Sequence, residues 1–301
     1  MPLSAAKIRR SKRQNKKSFV VYYKYKKTAA QKERGNDMKV GFIGLGNMAG
    51  AMIGGLIKSL AVRPEDIYGS DVNVEIAKKR AEEFGINTAI DNARTVEAAD
   101  YIVIAVKPQY AAEAIRTIKS SLRPDQVIIS IVAGKSLAWF NEQIGRDQKC
   151  VRCMPNTAAL VGAAITGVTP NKFVTKEELT NALTIIKSFG RASVVPEHLM
   201  DAVCAVSGSA PAYVFMFIEA MADAAVEEGM PRQQAYEFAA NAVYGSAKLM
   251  LDTGMHPAQL KDMVCSPAGT TIAAVRVLEE SGFRGAVIDA VEAAAERSKE
   301  L

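Results

Sequence analysis

The sequence predicts an α/β protein in which a doubly wound parallel sheet is followed by an all-helical domain. Short apolar runs alternate with helical stretches from residue 38 to about 200, as parallel strands and their crossover helices do. Val- and Ile-rich runs then cease, and the sequence to residue 301 becomes rich in Ala, Met, Glu and Lys. We therefore divide the chain into a leader (1–37), a sheet domain (38–200) and a helical domain (201–301).

The leader differs from the rest of the chain in its charge. Residues 1–37 hold 12 Lys or Arg and 2 Asp or Glu, a net of +10. Subtracting these from the chain totals of 38 and 32 leaves 26 basic and 30 acidic residues, so the body has a net of −4. The whole protein is therefore not a basic nucleic-acid-binding fold. Three interpretations of the leader stay open: a phosphate-binding arm, a transit peptide, or an unselected tail before a start at Met38. In each case we expect it to be disordered.

Cysteine number and apolar run length bear on the compartment. Four cysteines in 301 residues do not make a disulfide framework, which favours a reducing environment. Cys150 and Cys153 match C-x-x-C, but residues three apart on a strand face opposite sides, so we expect them to be packing residues. With only two histidines in the chain, no metal site is predicted. No apolar run approaches the roughly 20 residues that span a bilayer, which predicts a soluble, cytoplasmic protein.

The first βα unit carries a glycine-rich turn. Residues 39–44 are an apolar strand, and the segment GLGNMA at 44–49 leads from it into a helix. Gly44 permits the tight turn, Gly46 lets the backbone approach a pyrophosphate, and Ala49 allows close helix–strand packing. Because a helix N-terminus attracts phosphates, this pattern between a strand and a helix predicts a Rossmann-type dinucleotide site.

The later strands are predicted from further apolar runs. Those at 101–106 and 126–131 are continuous, as in strands buried on both faces. The full set after the first strand is 67–70, 101–106, 126–131, 149–154, 163–168 and 191–195. A ligand is expected beyond their carboxyl ends, where Lys107-Pro108 and Asn156 lie.

Asp71 closes the second strand about 25 residues past the glycine turn, where an acid commonly accepts from the ribose 2′-hydroxyl. It would repel a 2′-phosphate and so favour NADH. Two alternatives stay open: Asp71 is the N-cap of the next helix, or Ser70, Asn73 and Asn92 support a phosphate, with Lys78, Lys79 and Arg80 on the next helix. The choice between NADH and NADPH is therefore open.

The helical domain contains a second candidate site. Helices are predicted at 212–228, 231–251, 269–280 and 283–299, with a shorter one from His256 and with Ser209 as the first N-cap. Several are apolar on more than one side, which predicts burial between subunits. The hydroxyl-rich turn 265–271 precedes a helix, so its free N–H groups either hold a carboxylate or belong to an ordinary capped helix start.

Five segments together resemble pyrroline-5-carboxylate reductases over residues 38–301. They are VGFIGLGNMAGAM, AVKPQ, RCMPNTA, SGSAPAYV…EAMADAAVEEGMPR and HPAQLKDMVCSPAGTTIAAV. The resemblance implies reduction of 1-pyrroline-5-carboxylate to L-proline by hydride transfer from NADPH or NADH, the last step of proline biosynthesis. It also implies a homodimer built through the helical domain, able to form a decamer. The short apolar runs predict no membrane partner, and the acidic body argues against a nucleic-acid partner.

The resemblance also implies individual site residues. Ser266, Gly269 and Thr270 hold the substrate carboxylate, and the catalytic residue Thr271 lies near the ring nitrogen. The implied dinucleotide-binding residues are Gly44, Leu45, Gly46, Asn47, Met48, Ala49, Ser70, Asp71, Asn92, Ala105, Val106, Lys107, Pro108 and Asn156. This chain departs from the family at Asp71, where members that prefer NADPH often carry serine or arginine. Its loop also reads C-S-P-A-G-T-T instead of S-S-P-G-G-A/T-T.

A cyclic imine needs little acid–base help, because a protonated C=N is already electrophilic. We therefore expect catalysis by positioning of the two reacting carbons. Two other functions stay open at this point. One is a 3-hydroxyacid dehydrogenase, a class with a catalytic lysine, for which Lys248 and Lys261 are candidates. The other is a dinucleotide-sensing protein whose leader binds nucleic acid.

Overall fold

The computed structural model describes residues 38–145 and 147–300, so the expectations for the leader lie outside the described residues. Its first part is built on a single sheet. The strands are β1 Val40–Ile43, β2 Ile67–Ser70, β3 Asn87–Ala89, β4 Tyr101–Ile104, β5 Val127–Ser130, β6 Lys149–Met154, β7 Ala164–Pro170 and β8 Gly190–Val194. Within the described residues these eight strands are ordered β3-β2-β1-β4-β5-β6-β7-β8. The short β3 lacks an apolar run, and the sequence analysis missed it.

The strand order reverses beside β1, which pairs with β2 on one side and with β4 on the other. Ligands of open α/β sheets bind at such a switch point, outside the carboxyl ends of the strands. The predicted parallel sheet is correct from β1 to β6 but wrong at the far edge, since β7 runs antiparallel to β6. The connection between them holds only the 3-10 turn Thr157–Val161, which is too short for a parallel crossover.

Helices cover both faces of the sheet. They are α1 Asn47–Lys58, α2 Val74–Phe84, α3 Asn92–Ala98, α4 Ala111–Ile118, α5 Leu137–Ile144 and α6 Lys176–Lys187. Neighbouring residues of one strand enter different apolar clusters, with Val103 beneath α1 and α6 and Ile102 beneath α4 and α5. The central strands are therefore buried on both faces, as their continuous apolar runs predicted.

Cys150 and Cys153 lie on opposite faces of β6. Cys150 belongs to the cluster under α4 and α5, whereas Cys153 belongs to the cluster under α1 and α6. Both thiols are free, and burial raises the pKa of each well above its usual range. Because the thiolate is the reactive and metal-binding form, this C-x-x-C has a packing role, as predicted.

The second part is helical. Its elements are α7 Met200–Val203, a π-helical segment Cys204–Ser209, α8 Ala210–Glu227, α9 Arg232–Thr253, α10 Pro257–Val264, α11 Thr270–Glu280 and α12 Phe283–Lys299. The predicted N-cap role of Ser209 is wrong, because Ser209 has helical dihedral angles of φ −88° and ψ −32° and caps nothing. The chain is already helical from Met200, so α8 continues a helix and does not begin one.

The expectation that no segment is long and apolar enough to span a bilayer also needs correction. The continuous helical stretch Glu197–Glu227 has 31 residues and passes that test by length and composition alone. The exposed surface of the helical part is apolar in several places, including Phe215, Met216, Phe238 and Tyr244. Many large apolar side chains exposed in one part of a folded chain favour an interaction surface there.

Candidate active site

Gly44 shapes the turn between β1 and α1. Its φ is +92°, a conformation that residues with a Cβ rarely adopt. A Cβ at this position would lie 2.8 Å from the Ala105 carbonyl oxygen and 3.0 Å from Cγ1 of Val106. The predicted residues Ala105 and Val106 therefore lie directly against the glycine turn, at the end of β4.

Gly46 has the opposite surroundings. It precedes α1 with a φ of −64°, and apart from its chain neighbours no described residue has an atom within 4 Å of the place where its Cβ would be. No side chain caps α1, and its first turn, which includes Asn47, Met48 and Ala49, holds no acid. The first N–H groups of α1 thus face an open position without a negative charge of their own, as a phosphate site requires.

Asp71 contacts backbone, not open space. Its Oδ2 accepts from the Leu45 N–H and its Oδ1 from the Asn73 N–H, both at 2.8 Å. The cap of α2 is Asn73, whose side chain accepts from the N–H groups of Glu75 and Ile76. The alternative that Asp71 caps this helix is therefore wrong, and Asp71 joins the glycine turn to the β2–α2 turn.

Arg80 on α2, which the phosphate alternative named as a nearby cation, bonds the glycine turn. Its Nε donates to the Leu45 carbonyl at 3.1 Å and its Nη2 to the Gly46 carbonyl at 3.3 Å. Gly50 makes room for the guanidinium, because a Cβ there would lie 2.6 Å from Arg80 Cζ. The sequence feature that permits this contact is the third glycine, Gly50, on the first turn of α1.

Ser70 and Asn92 form a hydrogen-bonded chain at the end of β2. The Ser70 hydroxyl is fully buried and donates to Asn92 Oδ1 at 2.6 Å, and Asn92 Nδ2 donates to Thr117 Oγ1 at 2.9 Å. Ser70 therefore orients the half-buried Asn92 amide. Lys107 is exposed beyond β4, and Pro108 begins a short 3-10 turn after it.

Asn156 connects the sheet to the helical part. Its Nδ2 donates to the Ser207 carbonyl in the π-helical segment at 3.1 Å. Its Oδ1 is buried and has no partner among the described residues. A buried acceptor without a donor costs about 1–3 kcal/mol, so this oxygen is ready to accept from a ligand. π-helical turns are frequent at functional sites, which fits this position beside the carboxyl ends of the strands.

The hydroxyl-rich loop lies at the start of α11. The Gly269 N–H donates to the Ser266 carbonyl at 3.0 Å, which closes a tight turn, and Ala268 within it has a φ of +55°. No side chain caps α11, and its first turn holds no acid. Ser266 and Thr270 are exposed, whereas Thr271 is half-buried. The four predicted substrate-binding residues thus share one helix N-terminus, but no hydrogen bond between described residues joins this loop to the glycine turn.

Comparison with known proteins matches both parts of the chain. A family described as pyrroline-5-carboxylate reductase dimerisation matches residues 197–301, and one described as NADP oxidoreductase, coenzyme F420-dependent, matches 39–134. Pyrroline-5-carboxylate reductase of Escherichia coli is 52% identical over 265 residues, which is 88% of this chain and 98% of that protein.

The chain belongs to the pyrroline-5-carboxylate reductase family. Solved reductases of this family share its fold. The Coxiella burnetii enzyme superposes with a TM-score of 0.82 at 33% identity, and the Plasmodium falciparum enzyme, with NADP bound, at 0.80 and 32% identity. Each comparison covers 88% of this chain and 98% of the other.

Membership of this reductase family accounts for two features of the helical part. The apolar segment Glu197–Glu227 begins where the dimerisation match begins, so its exposed apolar faces lie in the part of the chain that matches this dimerisation family. Membership also sets aside the hydroxyacid dehydrogenase alternative. Its candidate lysines bond neighbouring carboxylates, Lys248 to Asp252 and Lys261 to Asp262, and these bonds raise the pKa of both lysines.

Ala268 has a left-handed φ of +55°, and it offers a stability test. We expect Ala268→Gly to raise the free energy of unfolding by roughly 0.5–1 kcal/mol, because left-handed strain on a Cβ exceeds the extra unfolded-state entropy of glycine. Urea unfolding at fixed protein concentration measures it. Ala273→Gly inside α11 is the matched control and should destabilise by about 1 kcal/mol. A loss of stability in both variants would contradict strain at Ala268.

Proposed function

We propose that this protein reduces 1-pyrroline-5-carboxylate to L-proline with NADPH or NADH, by holding the two reactants in position. The observation that carries the proposal is the pair of uncapped, acid-free helix starts, one at Gly46 and one at Gly269. Both are suited to anions. One is suited to the dinucleotide pyrophosphate and the other to the carboxylate of the substrate.

The dinucleotide site fits its ligand on local geometry. The open position at Gly46 is a cradle that a Cβ would fill, and Ala105 and Val106 close the turn from beneath. When bound, the nicotinamide supplies a hydride to the imine carbon. The buried Asn156 Oδ1, which lacks a donor in the described residues, is suited to accept from a carboxamide N–H at this end of the site. Lys107 supplies a positive charge at the open carboxyl edge.

The loop 265–271 is suited to the substrate. N–H groups at the start of α11 offer fixed donors to the carboxylate, with the Ser266 and Thr270 hydroxyls beside them. In this proposal Thr271, one residue into the helix, bonds the ring nitrogen. The substrate enters protonated on nitrogen, so hydride addition to carbon completes the amine without a further proton. The protein's own contribution is then orientation, which can lower the barrier by several kcal/mol.

Assembly and location follow from the same proposal. We take a homodimer through residues 197–301 as the functional unit, with a decamer of five dimers as the larger form. The protein acts in the cytoplasm, and the leader 1–37 is dispensable for catalysis, with neither a membrane nor a nucleic acid as partner. Sedimentation velocity separates dimer from decamer.

Turnover is the direct test. Oxidation of NADPH and of NADH is followed with 1-pyrroline-5-carboxylate, on the full chain and on a shortened chain beginning at Met38. We expect rapid turnover by both chains with at least one dinucleotide. Folded, dimeric protein that binds a dinucleotide but does not turn over this substrate would contradict the proposal.

A further inference from the structure

Two charged side chains from the second βα unit hold the glycine turn. Asp71 accepts from the Leu45 N–H at 2.8 Å, and Arg80 donates to the Leu45 carbonyl at 3.1 Å. Arg80 also donates to the carbonyl of Gly46 at 3.3 Å. A carboxylate and a guanidinium therefore hold one residue, Leu45, by its donor and by its acceptor, and Leu45 itself is fully buried.

The Asp71 carboxylate uses both oxygens for this purpose. While Oδ2 bonds Leu45, Oδ1 accepts from the Asn73 N–H at 2.8 Å. Hydrogen bonds to an ionised group are about twice as strong as neutral ones, so these two backbone contacts fix the orientation of the carboxylate. Asp71 thus bonds two backbone N–H groups, whereas an acid at this position commonly binds ribose.

Arg80 is equally engaged. Its Nη1 bonds Glu83 Oε2 at 2.7 Å, and its side chain is only 13% exposed. Its Cζ also lies 5.8 Å from the centre of the Phe84 ring. A guanidinium with these partners is held beneath the glycine turn and is not presented to a 2′-phosphate.

We infer that Asp71 and Arg80 are positioning residues that brace the glycine turn, and that neither discriminates NADH from NADPH at the ribose 2′ position. The inference rests on the proposed dinucleotide site. The brace fixes the peptide groups next to the first turn of α1, where the pyrophosphate of either dinucleotide is expected. Its loss should therefore weaken both dinucleotides alike.

The test uses the full chain and both dinucleotides. Asp71→Asn keeps the side-chain shape but removes the charge and one acceptor. We expect the Kd of NADH and of NADPH, measured by fluorescence titration without substrate, to rise about tenfold each, with their ratio changed by less than about twofold. Arg80→Ala should do the same and Arg80→Lys should recover part of the loss. Because the effect is on binding, KM for the dinucleotide should rise while kcat at saturation stays within about twofold.

Glu82→Gln is the matched control, since Glu82 is an exposed acid on the same helix, α2. It should leave both affinities unchanged. If Asp71→Asn favours NADPH over NADH by tenfold or more, Asp71 reads the 2′ position and the inference fails. Unchanged affinities with a lower Tm in Asp71→Asn and Arg80→Ala would show that these contacts serve stability alone, and would also overturn the inference. If Arg80→Ala does not fold, the affinities of Asp71→Asn and Arg80→Lys for the two dinucleotides test the inference. Unaltered protein that binds neither dinucleotide would contradict the proposed function instead.

Discussion

Gly46→Ala is expected to weaken the binding of both dinucleotides by about 100-fold while leaving thermal stability unchanged. The backbone at Gly46 has an ordinary φ of −64°, and no atom of the described residues beyond its chain neighbours lies within 4 Å of the added methyl. The folded chain therefore tolerates the substitution. The methyl instead occupies the space through which the pyrophosphate approaches the N–H groups of α1. Fluorescence titration with NADPH and with NADH measures the affinities, and a thermal unfolding curve measures the stability.

Gly44→Ala is the control, because the methyl added at Gly44 would meet protein atoms and the methyl added at Gly46 would meet the ligand. There the φ of +92° is strained for alanine, and the methyl would lie 2.8 Å from the Ala105 carbonyl oxygen. We expect a loss of about 2–4 kcal/mol in the free energy of unfolding. If Gly46→Ala destabilises the protein as much as Gly44→Ala does, or binds dinucleotide normally, the pyrophosphate does not lie at Gly46.

Thr271→Ala is expected to lower kcat about 100-fold with dinucleotide affinity unchanged, as for loss of one preorganised hydrogen-bonding group. Thr271 lies one residue into α11, whose start is closed by the turn from Ser266 to Gly269. The helix therefore fixes its backbone beside the N–H groups that we propose bind the carboxylate. Steady-state turnover with 1-pyrroline-5-carboxylate measures the change.

Thr271→Ser keeps the hydroxyl and provides the matched control. We expect it to retain most of the activity, with a small loss because serine has no Cγ2 to restrict its rotamer. The exposed neighbour Thr270 provides a second comparison, since Thr270→Ala should raise KM for the substrate more than it lowers kcat. Full turnover by Thr271→Ala would remove Thr271 from the mechanism and leave orientation to the backbone alone.

Most of the sheet was predictable from local patterns. Continuous apolar runs predicted β4 and β5, and β2 and β6 have the bounds predicted for them. The direction of β7 was not predictable from its own residues. It depends on the length of the β6–β7 connection, which permits only a reversal. The helical start at Met200 was missed for a different reason. Ser209, and Pro211 two residues later, are residue types typical of a helix start, but the helix has already begun at Met200.

The amino-acid sequence by itself determined the glycine turn, the hydroxyl-rich loop and the division into a sheet part and a helical part. These depend on residue type at short spacing, where backbone sterics and helix-end chemistry act alone. Only the tertiary structure decided what Asp71 and Arg80 do, since their partners on Leu45 lie 26 and 35 positions away. A carboxylate bonds whatever donor the fold brings nearest, and here that donor is backbone of the glycine turn. Which ligand group a polar side chain can reach is therefore set by packing and not by its place in a motif.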